Sequence, residues 1–186
     1  MHTRPRLAAL AAALPLLIPL AVAAPAHAEV RTITDATGDG SDGTGSSGPR
    51  TWGDIGTVRV NHAPKRVYFR LFAAPGGQLP DFYDLWVDTN KSNPGPEFVV
   101  TYSLETERIG VSSTDRFFEF GPATCSLDTD TIIRQGVRLV VPRKCLKTEG
   151  FKVPWRIRTS VQTSMEYENA DWAPRRKTFG PWVKVG

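Results

Sequence analysis

Asp35, Thr37, Asp39 and Gly40, in the stretch DATGDGSDGTGSSGPRTWGD at residues 35–54, occupy positions one, three, five and six of a calcium-loop pattern. That spacing lets alternate side-chain oxygens converge on a hard cation while glycine makes the sharp turn. The match stops at position twelve, where Ser46 replaces the bidentate glutamate, and the flanks read as strands, so a helix-loop-helix calcium site is excluded. A weaker oxygen cage is still open to Asp35 and Asp39, completed by Asp54, which opens the next strand, or by Asp88 at the end of another. The competing expectation is a mobile Gly/Asp/Ser loop over residues 35–53, because so polar a segment has little apolar surface to bury. Under that reading Asp42 to Pro49 is slack chain, and any cation is held by the two ends, at Asp35, Asp39 and Asp54. The expected cofactor is calcium or none.

Other chemistries find less to work with. Beyond residue 28 the sole histidine is His62, in the turn-like NHAPK, and no G-x-S-x-G elbow is present; a solvent-exposed turn histidine is the expectation. Glu105, Glu107, Glu119, Asp84 and Asp88 offer carboxylate pairs for glycoside hydrolysis, but outward strand carboxylates ordinarily serve solubility. Among the tryptophans, Trp155 shares a strand face with Ile157 and Val161 and is expected in the core. Trp52 and Trp172 fall in loops and Trp86 shares a face with Asp84 and Asp88, which makes these three the candidates for stacking on a ligand. Arg59, Arg66, Arg70, Arg138, Arg156 and Arg158 lie opposite the aliphatic strand positions, with Arg175, Arg176 and Lys177 in a late loop. A solvated sheet face with interspersed acids is the simpler account of them, ahead of contact with an anionic polymer.

These side chains must be positioned by strands. Apolar alternation runs for five to eight residues between Gly, Pro, Asn and Asp punctuation, and no segment of helical period has useful length. The fold class is all-β, a two-sheet antiparallel β-sandwich of jelly-roll or immunoglobulin type with about nine or ten strands. EVRTIT is a first strand, and TVRVNHAPKRVYFRLFA is two strands joined at Asn61–Lys65. FYDLWVDT, EFVVTYSLET, IGVSST, RFFEF, TIIRQGVRLVVPR, VPWRIRTSVQTS and KTFGPWVKV supply the others, while residues 165–177 read as a surface loop. Taking Arg134-Gln135-Gly136 as a three-residue hairpin loop sets Ile133 opposite Val137 and, further down the same register, Cys125 opposite Cys145.

The first 28 residues read as a secretory signal: Arg4 and Arg6 precede an apolar run, and Ala26-His27-Ala28 gives a small-x-small cleavage pattern. The 158 residues after it suit one domain, expected to be secreted, with no later membrane span. An exported pair of cysteines is expected to close as a disulfide, Cys125–Cys145. The leader carries two arginines and no acid, so its removal lowers the net charge from +4 to +2. So small a charge, without a basic stripe bearing stacked aromatics, argues against nucleic acid as a partner.

The order DATGD, then GDI before a two-strand unit, then LWVDTN at a strand end resembles small exported β-sandwich proteins of high-GC Gram-positive bacteria, as does VPRKCL followed by VPWRIRTSV. More distantly it resembles DOMON-like and family 9 carbohydrate-binding sandwiches. That likeness implies sugar or haem binding with structural calcium, and it carries over to Asp35, Asp39, Asp54 and Asp88. Met165 and His62 match no haem-ligand motif, and no aromatic pair matches a sugar clamp. The expected function is a secreted, non-catalytic binding or structural module with an extracellular glycan or cell-surface component as partner. A small secreted polysaccharide hydrolase and a secreted protein inhibitor are the alternatives.

Overall fold

Among the described residues, period-two alternation becomes strand in most of the segments that carry it. A computed structural model describes residues 28–39, 53–77, 79, 82–103, 106, 108–128, 132–133, 136–147, 154–163 and 171–186. Outside them lie the expected leader except for Ala28, residues 40–52 of the acidic loop with Trp52, and Glu105, Glu107 and Met165.

One sheet contains β1 (Glu29–Thr34), β2 (Ile55–His62), β3 (Arg66–Ala73), β8 (Ile132–Ile133) and β9 (Gly136–Pro142), in the order β1-β2-β3-β9-β8. The other contains β4 (Phe82–Asp88), β5 (Phe98–Ser103), β6 (Arg108–Ser113), β7 (Ala123–Asp128), β10 (Arg156–Thr163) and β11 (Asp171–Ala173), in the order β11-β10-β4-β5-β6-β7, with β12 (Val183–Lys184) also paired to β10. These twelve strands exceed the expected nine or ten; β7 and β11 lie in segments that were not expected as strands. Every pairing is antiparallel. Among the described residues no helix is long and apolar enough to cross a membrane.

The core forms between the two inner faces. Val58, Val60, Val67, Phe69, Leu71 and Leu139 of the first sheet join Leu85, Val87, Val100, Ile109, Ile157 and Val161 of the second in one buried cluster. Each fully buried aliphatic or aromatic side chain contributes about 1.5–3 kcal/mol, which is why the alternation dictates which face turns inward.

His62 corrects one expectation. β2 runs through it, so the inward parity of Val58 and Val60 continues to position 62, and the ring is fully buried. Its Nδ1 lies 3.1 Å from the Val183 carbonyl. Burial pushes its pKa down to about 4. Trp155 is the converse: β10 begins one residue later, the alternation does not reach back, and the ring is 52% exposed with the Arg156 guanidinium 4.4 Å from its centroid.

The cysteine pairing is as expected, but the register behind it is not. β8 meets β9 with Ile133 opposite Gly136, one residue off the expected register, and β7 belongs to the other sheet. Cys125 on β7 reaches Cys145, in the 3-10 turn Arg143–Leu146 after β9, with 5.6 Å between Cα atoms. The bond therefore joins the two sheets instead of rungs of one hairpin.

A further layer covers the outer face of the second sheet. RFFEF, expected as a strand, lies in a looped segment. Thr114 Oγ1 accepts from the Arg116 amide at 3.3 Å, the Gly121 amide donates to the Ser113 carbonyl at 2.8 Å, and Phe118 has φ 70°. Phe117 and Phe118 pack with Phe179 on Trp86, Val99 and Trp172. Trp86 and Trp172, expected as exposed stacking residues, are 0% and 6% exposed for this reason. In the segment expected to be a surface loop, residues 171–173 form β11.

Candidate metal centre

At the end of the sandwich where β1 stops, three chain segments converge. β1 delivers Asp35, whose amide donates to the Gly56 carbonyl at 3.1 Å. Gly56 lies in a register shift of β2, where an added Cβ would stand 2.9 Å from the Ala73 carbonyl oxygen and the Ala74 Cα, so only glycine permits this approach. The chain then turns through Thr37-Gly38, with Gly38 at φ +80°, and the Gly38 amide donates to Asp54 Oδ2 at 2.9 Å. The DATGD turn is thus pinned to the residues that open β2, and it carries Asp39 back over Asp35.

The third segment is the start of β11. Asp171 is antiparallel partner to Thr163, whose hydroxyl donates to the Gly53 carbonyl at 2.9 Å and accepts from the Asp171 amide at 3.2 Å. The Asp171 carboxylate is oriented by two amides, Ile55 N to Oδ2 at 2.6 Å and Trp172 N to Oδ1 at 2.8 Å. Since β2 and β11 belong to different sheets, Asp171 links the two layers.

Asp35, Asp39 and Asp171 each bring a carboxylate oxygen within 4.8 Å of the others. Asp35 and Asp171 are only 8% and 4% exposed, as is Asp54 beside them at 4%; Asp39 faces solvent. Both oxygens of Asp35 and Oδ1 of Asp54 are buried without a hydrogen-bond partner. Burial first, then the charges of Asp171 and Asp39, push the Asp35 carboxyl up to about 8. Burial likewise raises Asp171 to about 6, against the two amides that favour its anion, and it raises Asp54. Carboxylates this close and this dry repel one another, and a protein relieves that by taking up protons or by binding a cation. Calcium accepts six to eight oxygens in an irregular shell, of which these three carboxylates supply at least three, one from each.

Of the acidic residues expected here, Asp35, Asp39 and Asp54 come together and Asp88 does not. Asp88 lies opposite Arg158, about 17 Å along β10 from Thr163 at a strand rise of ~3.3 Å per residue. Its Oδ2 accepts Arg158 Nε at 2.7 Å and Nη2 at 2.6 Å, and its Oδ1 accepts the Asn90 amide at 2.8 Å. Asp171 is the member that sequence reasoning missed. DWAP has no periodicity to mark it, and its distance from Asp35 in the chain hides the contact.

The other candidates are dispersed. Asp84 is buried on the covered face, accepts the Thr101 hydroxyl at 2.9 Å, and is raised to about 6 by burial; Glu119 pairs with Arg116 at 3.0 Å. Arg156 stacks between Trp155 and Trp182, and Arg158 between Phe179 and Trp182. Arg59, Arg66 and Arg70 stand exposed on the other sheet, with Arg138 half-buried beside them. No family model matches the chain, and no curated protein or solved structure matches it significantly, so the likeness to DOMON-like and family 9 sandwiches gains no support from them.

Proposed function

We propose that this chain is a non-catalytic β-sandwich module, exported and directed to an extracellular glycan or cell-surface component, in which calcium held by Asp35, Asp39 and Asp171 fastens the two sheets at one end. The observation that carries the cation is the pair of buried, unpartnered Asp35 oxygens aimed among neighbouring carboxylates. Asp54 supports the site from beside it, holding the Gly38 amide with one oxygen and leaving the other unpartnered. The disulfide between the sheets fits an oxidising compartment. Asp84 is buried and holds the Thr101 hydroxyl, and Asp88 is taken by Arg158, which favours a binding module over a hydrolase built on that pair.

Calcium at a hundredfold excess over its dissociation constant should stabilise the fold by about 2.7 kcal/mol, read as a higher melting temperature in millimolar calcium than in excess chelator. Asp35→Asn removes one of the crowded charges and should raise the melting temperature of the chelated protein while abolishing the calcium response. Identical melting curves with calcium and chelator would remove the cation from this account.

The pH dependence has a definite sign. A carboxyl raised to about 8 in the folded state, like Asp35, binds a proton that the unfolded chain has released, so its stabilisation is present at low pH and is lost as pH rises through 8. Asp171 and Asp84, raised to about 6, act the same way at lower pH, while His62, lowered to about 4, opposes them below its ordinary value. The interval from pH 7 to 9 therefore isolates Asp35. In chelator the melting temperature should fall across that interval, and saturating calcium should flatten the fall because it binds the deprotonated form. A chelated protein that gains stability from pH 7 to 9 would contradict this.

A further inference from the structure

The two outer sheet faces differ. Aromatic rings cover that of the second sheet, whereas the first presents cations. Alternation along β2, β3 and β9 turns Arg59, Arg66, Arg70 and Arg138 away from the core, and the register places Arg59 opposite Arg70 and Arg70 opposite Arg138. Three arginines thus occupy neighbouring positions on adjacent strands, whose backbones are about 5 Å apart. Like charges directly opposite one another destabilise a sheet. Among the described residues no carboxylate pairs with any of the four; the ion pairs there involve Arg31, Arg116 and Arg158. The Arg138 guanidinium lies 5.8 Å from the Tyr68 centroid.

Beside this row lies a concavity of about 270 Å³ lined by Val30, Arg59, Asn61, Tyr68 and Arg70. Its chemistry is mixed in an informative way. Asn61 Oδ1 is buried without a partner, so it calls for a donor next to the two guanidiniums. An inorganic oxyanion meets the arginines but leaves no role for Val30 and Tyr68 in the lining. A sugar ring bearing an oxyanion satisfies all of them: hydroxyl to Asn61, C–H face to Tyr68 and Val30, carboxylate or sulfate to Arg59 and Arg70, and the next charged group along the row to Arg138. We propose that this face binds an anionic polysaccharide, lying across β2, β3 and β9. The proposal deepens the glycan-binding reading given above and rests on it, but it does not require the cation site.

The test measures binding of the full exported chain to dextran sulfate, a polyuronate, neutral dextran, polyphosphate and single-stranded DNA at 0.15 M salt in excess chelator, with circular dichroism confirming the fold. The expected result is binding to dextran sulfate and polyuronate and none to neutral dextran. Arg70→Ala, at the centre of the row, should weaken it about tenfold, the scale of one lost charge-assisted contact. Arg70→Lys should not restore it fully, because an ammonium lacks the fork. Arg175→Ala with Arg176→Ala, on exposed positions elsewhere, should leave it unchanged. Tyr68→Ala should weaken polyuronate more than polyphosphate.

Binding to polyphosphate or DNA that equals polyuronate and ignores Tyr68→Ala would show that the face reads charge alone and overturn the sugar assignment. Equal losses from Arg70→Ala and from Arg175→Ala with Arg176→Ala, or binding that appears only when calcium replaces the chelator, would overturn the assignment to this face. Neutral dextran bound irrespective of Arg70 would sink this proposal while leaving a glycan-binding module standing. Binding to no polymer would sink both.

Discussion

Truncation of Trp86 to alanine should cost about 3–5 kcal/mol of folding stability, within the range for deleting a large buried aromatic side chain. Trp86 is fully buried although it points away from the main core. It lies between Ser160 of β10 and Val99 of β5, with the ring centroids of Phe117, Phe118 and Phe120 at 5.4, 5.9 and 5.6 Å. Phe117 and Phe118 in turn meet Trp172 at 5.9 and 5.8 Å, so the cavity would open at the centre of the aromatic layer, where neighbours cannot collapse without losing each other. The expected measurement is a lower urea midpoint at an unchanged slope. Trp86 as a ligand-stacking residue on an open face predicts otherwise: a midpoint within about 0.5 kcal/mol of wild type, as for surface substitutions. That outcome would overturn the burial argument.

Breaking the disulfide should cost about 3 kcal/mol, the chain-entropy value for a loop closed across a sequence separation of 20. Its position makes the effect global. Cys125 sits on β7 at the edge of the second sheet, and Cys145 lies buried in the 3-10 turn that follows β9 of the first. The Thr124 hydroxyl ties the same place without covalency, 3.1 Å from the Val111 carbonyl and 2.7 Å from that of Cys145. Cys125→Ala with Cys145→Ala should match wild type in reductant, both with a lowered urea midpoint and one cooperative transition. An unreduced wild type no more stable than the double variant would refute the contribution.

The aromatic layer and the disulfide are legible in the sequence to different degrees. Strands and their inward faces were legible because the period-two rule is local: Val58-Arg59-Val60 and Val67 to Leu71 carry their orientation in four or five residues. The same rule also covers His62, two positions beyond Val60: its parity points inward, although a histidine before Ala-Pro has the composition of a turn. The cysteine pairing followed from there being only two cysteines, and it survived a wrong register because pairing two thiols requires no knowledge of the path between them. Asp35, Asp39 and Asp54 could be grouped as the ends of one polar loop, with chain connectivity keeping them near each other.

What alternation cannot state is whether the outward face of a strand meets water or another layer. Asp84-Leu85-Trp86-Val87-Asp88 reads as a half-exposed strand, yet both faces are buried, because Phe117, Phe118 and Phe179 arrive from segments expected as strands that instead loop over the sheet. Lateral order is equally invisible. Arg59, Arg70 and Arg138 become a row only through the β2-β3-β9 register, and Asp171 joins Asp35 only because β11 and β2 meet across the two sheets at one end. Local pattern thus determined which side of each strand is apolar, an energy set within a few residues. Tertiary packing alone decided which polar side chains became neighbours, since that depends on sheet order and layering, which no short window of sequence encodes.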